Sequence, residues 1–221
     1  MTDAATADDA GGTIRSIRVP GEGRVRVAPD VADLRLGIAT IRPTAAGARS
    51  AAAEAMAAIL AALRDAGVTP RDLRTSLVNL DAVRDYSSPS GPTVTGYQMT
   101  NTVEATIRAI DTAGAVIDAA LAAGATSMDG LSFRVGDPTD ALDEARRQAV
   151  ADARRRATIL ADEAGVRVGR VLAISEGVDI APGPPRPVAE FRMKAAADAG
   201  TPVESGTSEL TVTVSVVFAI D

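Results

Sequence analysis

Residues 137–175 read DPTDALDEARRQAVADARRRATILADEAGVRVGRVLAIS and predict one long helix followed by a strand. Asp137 is placed to cap the first amides, and Pro138 suits the first helical position because its missing N–H would have no partner there. Small and apolar residues recur every three or four positions and predict the packed face: Leu142, Ala145, Ala149, Ala153, Ala157, Leu160 and Ala164. Gly165 then ends the helix, and residues 168–175 are predicted to form a strand against it.

The composition removes most catalytic constellations. The 221 residues include no Cys and no His. The chain therefore has no disulfide, no thiolate ligand or nucleophile, and no imidazole to bind a metal or act as a general base. Apolar residues make up 46% of the chain but aromatic residues only 2%, so the core must consist of Ala, Val, Leu and Ile. We predict a protein that is not an enzyme and that uses no cofactor or metal.

The charge and the N-terminal segment bear on partners and location. A net charge of −6 argues against binding to nucleic acid or to an anionic membrane, because both need a concentrated basic surface. Residues 1–13 carry acidic residues where a secretory signal has basic ones, and they are predicted to be a disordered tail. No stretch reaches the roughly 18 uncharged apolar residues of a membrane span. These observations predict a cytoplasmic protein without a membrane span.

Strands and helices alternate along the first part of the chain. Residues 14–28 and 31–41 are predicted strands, and the Pro29-Asp30 turn between them predicts a hairpin. Residues 44–66 are a predicted helix that Gly67 ends. Its apolar face is expected to comprise Ala48, Ala52, Met56, Ile59 and Leu63.

A second hairpin is predicted from residues 73–83 and 93–107, although the first of these strands does not divide cleanly into a polar and an apolar face. Residues 112–123 are a predicted helix, and residues 128–135 are a strand that leads into the long helix. The apolar face of the shorter helix is expected to comprise Val116, Ile117, Ala120 and Leu121. Residues 209–220 have such high β-propensity that we expect them to lie inside a sheet.

This order of elements predicts an α+β fold in which helices pack on an antiparallel sheet. Two helices that end in AGV, at residues 66–68 and 164–166, each lead into a strand. Two β-α-β halves around a shared sheet would explain this echo, and a single domain over residues 14–221 is the other possibility. Residues 179–208 are too rich in proline for a central strand, and they are predicted to be a loop or an arm that orders on another subunit.

Five stretches in this order resemble the SIMPL-domain family. They are VPGEGRVRVAPDVADLRLGI (19–38), AGVTPRDLRTS (66–76), GYQMTNTVEATIR (96–108), AAGATSMDGLSF (122–133) and AGVRVGRVLAISE (164–176). The resemblance covers about residues 17–220. It implies an α+β fold, no known catalytic residues, ring-like or channel-like homo-oligomers, and an association with envelope and oxidative-stress physiology. Most bacterial relatives carry an export signal, and residues 1–13 depart from that pattern.

Three groups of residues resemble binding sites, and each has a structural explanation. Gly21-Glu22-Gly23 resembles part of a phosphate loop, but no helix N-terminus follows, so we predict a bend or bulge. Four acidic residues suit a hard cation, yet a capped first helical turn explains them: Asp137, Asp140, Asp143 and Glu144. Five arginines form either a stripe for an acidic partner or, as we expect, a face paired with nearby acidic residues: Arg146, Arg147, Arg154, Arg155 and Arg156.

A fourth group lies on or beside the second predicted hairpin. Tyr86 and Tyr97, with Asn101 and Glu104, are placed either to line a pocket or to form a contact between subunits. Tyrosine suits a subunit contact because it brings a large area at little cost in entropy. The sequence leaves both interpretations open.

Three functions follow from these observations. The leading hypothesis is a non-enzymatic, self-assembling scaffold or interaction protein of the SIMPL-domain family, with a role in stress response and a homo-oligomeric state. The alternative is a domain that binds a small ligand between the sheet and the long helix. The third, a hydrolase that uses carboxylates, has little support because no two acidic residues are placed in one site with different environments.

Overall fold

The fold is known from a computed structural model, which describes residues 15–87, 89, 91–177 and 201–221. The predicted tail at residues 1–13 and most of the predicted arm at residues 179–208 lie outside the described residues. The strands are β1 (Ser16–Val27), β2 (Val31–Arg42), β3 (Leu73–Asp85), β4 (Thr93–Ile107), β5 (Ser127–Arg134), β6 (Val168–Gly177) and β7 (Ser208–Ile220). The α-helices are α1 (Ala45–Asp65), α2 (Ala113–Ala122) and α3 (Thr139–Glu163), and short 3-10 turns span Pro70–Asp72 and Ile110–Thr112.

The described chain divides into two compact units, each with its own antiparallel sheet, which confirms the predicted α+β class. The four-stranded unit has the order β3-β4-β2-β5 and carries α1 and α2. The three-stranded unit has the order β1-β7-β6 and carries α3. Strand β7 lies between β1 and β6, as its β-propensity predicts, because a strand this apolar is protected when both of its edges are paired.

In the four-stranded unit, one face of the sheet packs against the helices. Thr44 caps α1 by accepting a hydrogen bond from the Gly47 N–H at 3.1 Å, and Gly67 ends the helix with a φ of 96°. All five residues of the predicted apolar face of α1 are buried. The face of α2 differs at one position, because Leu121 is 49% exposed and Ala113 is buried in its place.

Helix α1 is the one helix among the described residues that is long and apolar enough to cross a membrane. Its buried face packs against the sheet of its own unit, with Met56, Ile59 and Leu63 in the same core as Leu34 and Leu36. A core helix of a globular domain meets the same two criteria of length and composition, so this helix is weak evidence for a membrane span.

The predicted hairpin between residues 14–28 and 31–41 is wrong. Strand β1 pairs along its whole length with β7, whereas β2 pairs with β4 and β5 in the other sheet. The alternation of residues that identifies a strand is the same for any antiparallel neighbour, so it does not identify the partner.

The long helix follows its predicted boundaries closely. Asp137 accepts a hydrogen bond from the Thr139 N–H at 3.0 Å, and Gly165 ends the helix with a φ of 67°. Its buried residues are spaced by four: Ala145, Ala149, Ala153, Ala157 and Ala161. Rows of this spacing are inclined to the helix axis by about 26°, so the contact passes to Ala161. Two residues of the predicted face are therefore wrong, because Leu160 is 51% exposed and Ala164, at the end of the helix, is exposed too.

The approach of α3 to β1 depends on two glycines. A Cβ on Gly21 would lie 2.0 Å from the carbonyl oxygen of Ala149, and one on Gly23 would lie 1.9 Å from that of Ala145. Both glycines pair with β7 in an unbroken register, so the predicted bend or bulge at residues 21–23 is wrong. The contact also leaves no room at these positions for the predicted ligand pocket between the sheet and the long helix.

Helix α3 also covers the free edge of β1. The backbone N–H of Glu22 donates to Asp152 Oδ2 at 3.1 Å, and that of Arg24 donates to Gln148 Oε1 at 3.2 Å. Pro20 lies two residues earlier on the same edge and has no N–H to leave unpaired. The edge of β1 is therefore closed to another strand over these residues.

We expect Gly21→Ala and Gly23→Ala each to destabilise the protein by at least about 2 kcal/mol, because the new Cβ forces backbone apart in a close-packed contact. Denaturant unfolding of the full chain measures this free energy. Gly177→Ala is the control, since its nearest non-neighbouring atom, the Thr213 carbonyl oxygen, lies 3.8 Å from the Cβ position. Equal stability of the Gly21→Ala and Gly177→Ala proteins would contradict the steric explanation.

Candidate functional site

A charged cleft lies on the face of the four-stranded sheet opposite to its helices. Because side chains alternate along a strand, Leu34 and Leu36 of β2 are buried in the core while Asp33 and Arg35 face the other way. The cleft has a volume of about 730 Å³. We call it the arginine cleft, after five of its residues: Arg35, Arg71, Arg74, Arg108 and Arg134. Four carboxylates also line it: Asp33, Asp72, Glu104 and Asp129.

Glu104 organises the centre of the arginine cleft. It lies directly opposite Arg35 on β2 and Arg74 on β3, so three charged side chains form a row across three strands. Arg35 Nη2 donates to Glu104 Oε1 at 2.6 Å, and Arg74 donates to the other carboxylate oxygen. The hydrogen bonds from Arg74 and Arg35 hold the pKa of Glu104 below its ordinary value.

Asp72 anchors one side of the cleft from the 3-10 turn before β3. Its side chain is only 4% exposed, and it accepts hydrogen bonds from Arg108 Nη2 at 2.7 Å and from the Thr69 hydroxyl at 2.7 Å. The hydrogen bond from Arg108, followed by that from Thr69, lowers the pKa of Asp72. A buried carboxylate is stable here because both of its oxygens have strong donors.

Asp33 anchors the opposite side. It accepts hydrogen bonds from Arg134 Nε at 2.6 Å and from the Thr106 hydroxyl at 2.8 Å. Burial by itself raises the pKa of Asp33, but the hydrogen bonds from Arg134 and Thr106 outweigh it, so the pKa lies below its ordinary value. Carboxylates with lowered pKa values stay ionised near neutral pH and are poor general acids there.

A second exposed feature is the outer part of the hairpin formed by β3 and β4. We call it the distal hairpin surface, and its residues share the face on which α1 packs nearer the base: Val78, Leu80, Ala82, Tyr97 and Met99. Val78 is 58% exposed and Leu80 is 43% exposed. Strand β3 is also the edge of its sheet, so apolar side chains and a free strand edge occur together.

The predicted group of Tyr86, Tyr97, Asn101 and Glu104 does not form one pocket. Tyr97 and Asn101 lie on the same face of β4, whereas Glu104 lies on the opposite face in the arginine cleft. Tyr86 follows the end of β3 and is 73% exposed. The pocket interpretation is therefore wrong for these four residues, and Tyr97 belongs to the distal hairpin surface.

Four of the five arginines of α3 are paired with acidic residues, as expected, whereas Arg154 makes no ion pair among the described residues. Arg146 contacts Asp143 at 2.8 Å, and Arg147 contacts Glu144 at 2.9 Å. Asp152 forms ion pairs with both Arg155 and Arg156. Among the residues that the structure describes, no group of three or more acidic residues is arranged to hold a metal ion.

Sequence reasoning missed the arginine cleft. The available signal was the pair of charged residues Asp33 and Arg35, two positions apart on one predicted strand, and the charged residue Glu104 on another. Such a pattern predicts one charged face per strand. It does not show that the faces adjoin, because Arg35 and Glu104 are 69 residues apart in the chain.

We expect Asp72→Asn to lower the free energy of unfolding at pH 7 by about 2 kcal/mol, because it removes charge-assisted hydrogen bonds from a buried position. The folded pKa of Asp72 is lowered, so this stability is present above pH about 4 and is lost as pH falls through the folded pKa. Denaturant unfolding at pH 7 and pH 3 should therefore show a smaller difference from the unmodified chain at pH 3. Asp129→Asn, at an exposed position in the same cleft, is the control, and a difference for Asp72→Asn that does not change with pH would refute the assignment.

Comparison with known proteins gives matches over almost the whole chain. Residues 17–218 match the SIMPL family, described as a protein of unknown function (DUF541). The 26 kDa periplasmic immunogenic proteins of Brucella melitensis biotype 1 and Brucella abortus (strain S19) are each 35% identical over 212 residues, which is 92% of this chain and 84% of theirs. The uncharacterized protein YggE of Escherichia coli (strain K12) is 30% identical over 155 residues, which is 70% of this chain and 62% of YggE.

These relatives correct one prediction and confirm another. The Brucella proteins are named as periplasmic, which contradicts the predicted cytoplasmic location and points to export. The acidic composition of residues 1–13 was therefore a poor guide to location. The resemblance carried by the five ordered stretches is confirmed by the match to residues 17–218, and the chain belongs to the SIMPL family.

Proposed function

We propose that this protein is a non-enzymatic scaffold of the bacterial envelope that assembles with further copies of itself through the distal hairpin surface. The observation that carries this proposal is the coincidence of exposed apolar side chains, Val78 and Leu80, with an edge strand. The proposed location is taken from the relatives from Brucella, which are named as periplasmic.

The edge of β3 supports assembly because it differs from the edge of β1. Asp152 and Gln148 of α3 occupy backbone donors of β1. Strand β3 extends over 13 residues, longer than the usual strand of five or six, and its outer part carries no such cover among the described residues. Proteins protect long edge strands, and pairing with another chain is one way to do so.

The side chains of the distal hairpin surface support the same conclusion. Leu80 and Ala82 on β3 lie directly opposite Met99 and Tyr97 on β4, so apolar residues adjoin across two strands there, and Val78 lies next along β3 opposite Asn101. Contiguous exposed apolar residues mark contact sites more often than single ones do. A second copy is the simplest partner, because two antiparallel edges related by a two-fold axis present the same surface to each other.

The non-enzymatic part of the proposal rests on the available side chains. The chain has neither Cys nor His, and the carboxylates of the arginine cleft have lowered pKa values. A stress-related role and assembly through the arm at residues 179–208 remain predictions from the sequence. The arm is a separate candidate contact, and its contribution is measured by deleting residues 179–200, which keeps the contact of Thr201 with Asp118 on α2.

We expect the full chain to form a multimer and the double variant Val78→Lys, Leu80→Lys to give folded monomers of 22.5 kDa. In the proposed contact each copy would have to bury two lysine charges that have no partner, and the cost in free energy would prevent assembly. Light scattering across a dilution series measures the native mass, and circular dichroism checks that the variant is folded.

Ile159→Lys is the matched control, because Ile159 is 52% exposed, close to the 58% of Val78, but lies on α3 in the other unit. This control should keep the mass of the unmodified chain. A monomeric unmodified chain would rule out self-assembly. A multimer that survives the double substitution would rule out the distal hairpin surface as the contact.

A further inference from the structure

We propose that the arginine cleft binds a small ligand through oxyanion groups of the carboxylate or phosphate type. This inference concerns the face of the four-stranded sheet opposite to the distal hairpin surface, and it does not depend on self-assembly. It rests on three features of the cleft, namely the way its arginines are held, the balance of its charges, and the space at its floor.

The carboxylates hold the arginines in place and leave donors free. Arg35 uses Nε and Nη2 on one oxygen of Glu104, and Arg74 binds the other oxygen. A guanidinium has five N–H donors, so both groups keep donors for a further acceptor. Their side chains are 56% and 76% exposed, which makes those donors accessible from the cleft.

The charges of the cleft leave an excess of cation. Glu104 is shared by two arginines, and so is Asp72, which binds Arg108 closely while Arg71 approaches it only to 3.8 Å. Arg71 is 79% exposed, so its guanidinium is the least engaged of those around Asp72. Arg134, Asp33 and Asp129 complete the set of charged groups in the cleft. It therefore has five guanidiniums and four carboxylates, although the whole chain carries a net charge of −6. The cleft therefore carries a local excess of positive charge, which attracts an anion.

Glycine keeps the floor of the cleft open. Gly130 on β5 lies directly opposite Arg35, so it continues the row that Arg74, Glu104 and Arg35 form across the sheet. Its φ of 147° favours glycine, and among the described residues no atom except those of its two chain neighbours lies within 4 Å of the position of a Cβ. A side chain there would occupy the space beside Arg35. The volume of about 730 Å³ falls within the usual range for small-ligand sites.

The geometry of the donors selects the ligand class. A planar guanidinium matches the two oxygens of a carboxylate or phosphate, and such charge-assisted pairs are stronger than neutral hydrogen bonds. Because Glu104 and Asp72 already fix Arg35, Arg74 and Arg108, a ligand would not have to order three flexible side chains on binding. This preorganisation reduces the entropic cost of binding.

Isothermal titration calorimetry on the full chain tests the proposal with two probes, pyrophosphate and citrate, at constant ionic strength so that screening does not change. We expect saturable binding of at least one probe with a Kd of about 1 mM or tighter. Binding of pyrophosphate alone identifies a phosphate site, and binding of citrate alone identifies a carboxylate site. Failure of both probes to bind saturably would overturn the proposal.

Matched variants place the binding in the cleft. The double variant Arg35→Gln, Arg74→Gln should weaken binding at least tenfold. Arg24→Gln should leave it unchanged, because Arg24 has the same kind of partner, Glu22 at 2.7 Å, and a similar exposure of 58%, but lies in the other unit. Equal weakening by the control and the double variant would show nonspecific attraction and overturn the site.

Arg71→Gln tests the proposed anion site if the double variant does not fold. Arg71→Gln removes a cleft arginine that makes only a long contact with Asp72, so the fold should tolerate it. Its denaturation midpoint should match that of the unmodified chain while its affinity for the bound probe falls several-fold. Unchanged affinity in a folded Arg71→Gln protein would overturn the proposed site.

Discussion

The contact between α3 and β1 is the steric constraint on which the three-stranded unit depends. Alanines spaced by four on the helix meet Gly21 and Gly23 on the strand, and neither glycine position has room for a single added carbon. This short distance also allows Gln148 and Asp152 to reach the backbone N–H groups of β1. Close packing and protection of the strand edge are thus two results of one contact. A larger residue on β1 would move the helix and expose the edge together.

The four-stranded unit handles its edges differently. Its helices cover the base of the sheet, where Leu36 and Val103 are buried, but β3 and β4 continue outward as a long hairpin with Val78 and Leu80 exposed. Full burial of one such aliphatic side chain is worth about 1.5–3 kcal/mol. Val78 and Leu80 gain only part of this free energy within the chain, because they stay about half exposed. The edge of β1 is therefore covered by α3 of the same unit, whereas the edge strand β3 carries exposed apolar side chains.

Local patterns were sufficient for some parts of this structure and insufficient for others. The buried face of α1 could be predicted residue by residue, because helical periodicity depends only on neighbouring residues. The structural role of Gly21 and Gly23 could not be predicted, because it depends on contacts with Ala145 and Ala149, more than a hundred positions later in the chain. The partner of β1 and the arginine cleft could not be predicted for the same reason. Each depends on pairing between strands that are distant in the chain. The family resemblance gave the fold class, but it carried no information about either contact.

One irregularity of β3 separates the two surfaces of the four-stranded sheet. Arg74 and Val78 are four residues apart, so in a regular strand they would lie on the same face. The register against β4 shifts between Thr75 and Leu77, and this extra residue reverses the alternation that follows. Arg74 consequently joins Glu104 in the arginine cleft, while Val78 and Leu80 join Met99 and Tyr97 on the opposite face. The same shift explains why the sequence of β3 does not divide cleanly into polar and apolar faces. Without the bulge, Arg74 would share one face of the strand with Val78 and Leu80, and the charged and apolar side chains of β3 would not be separated.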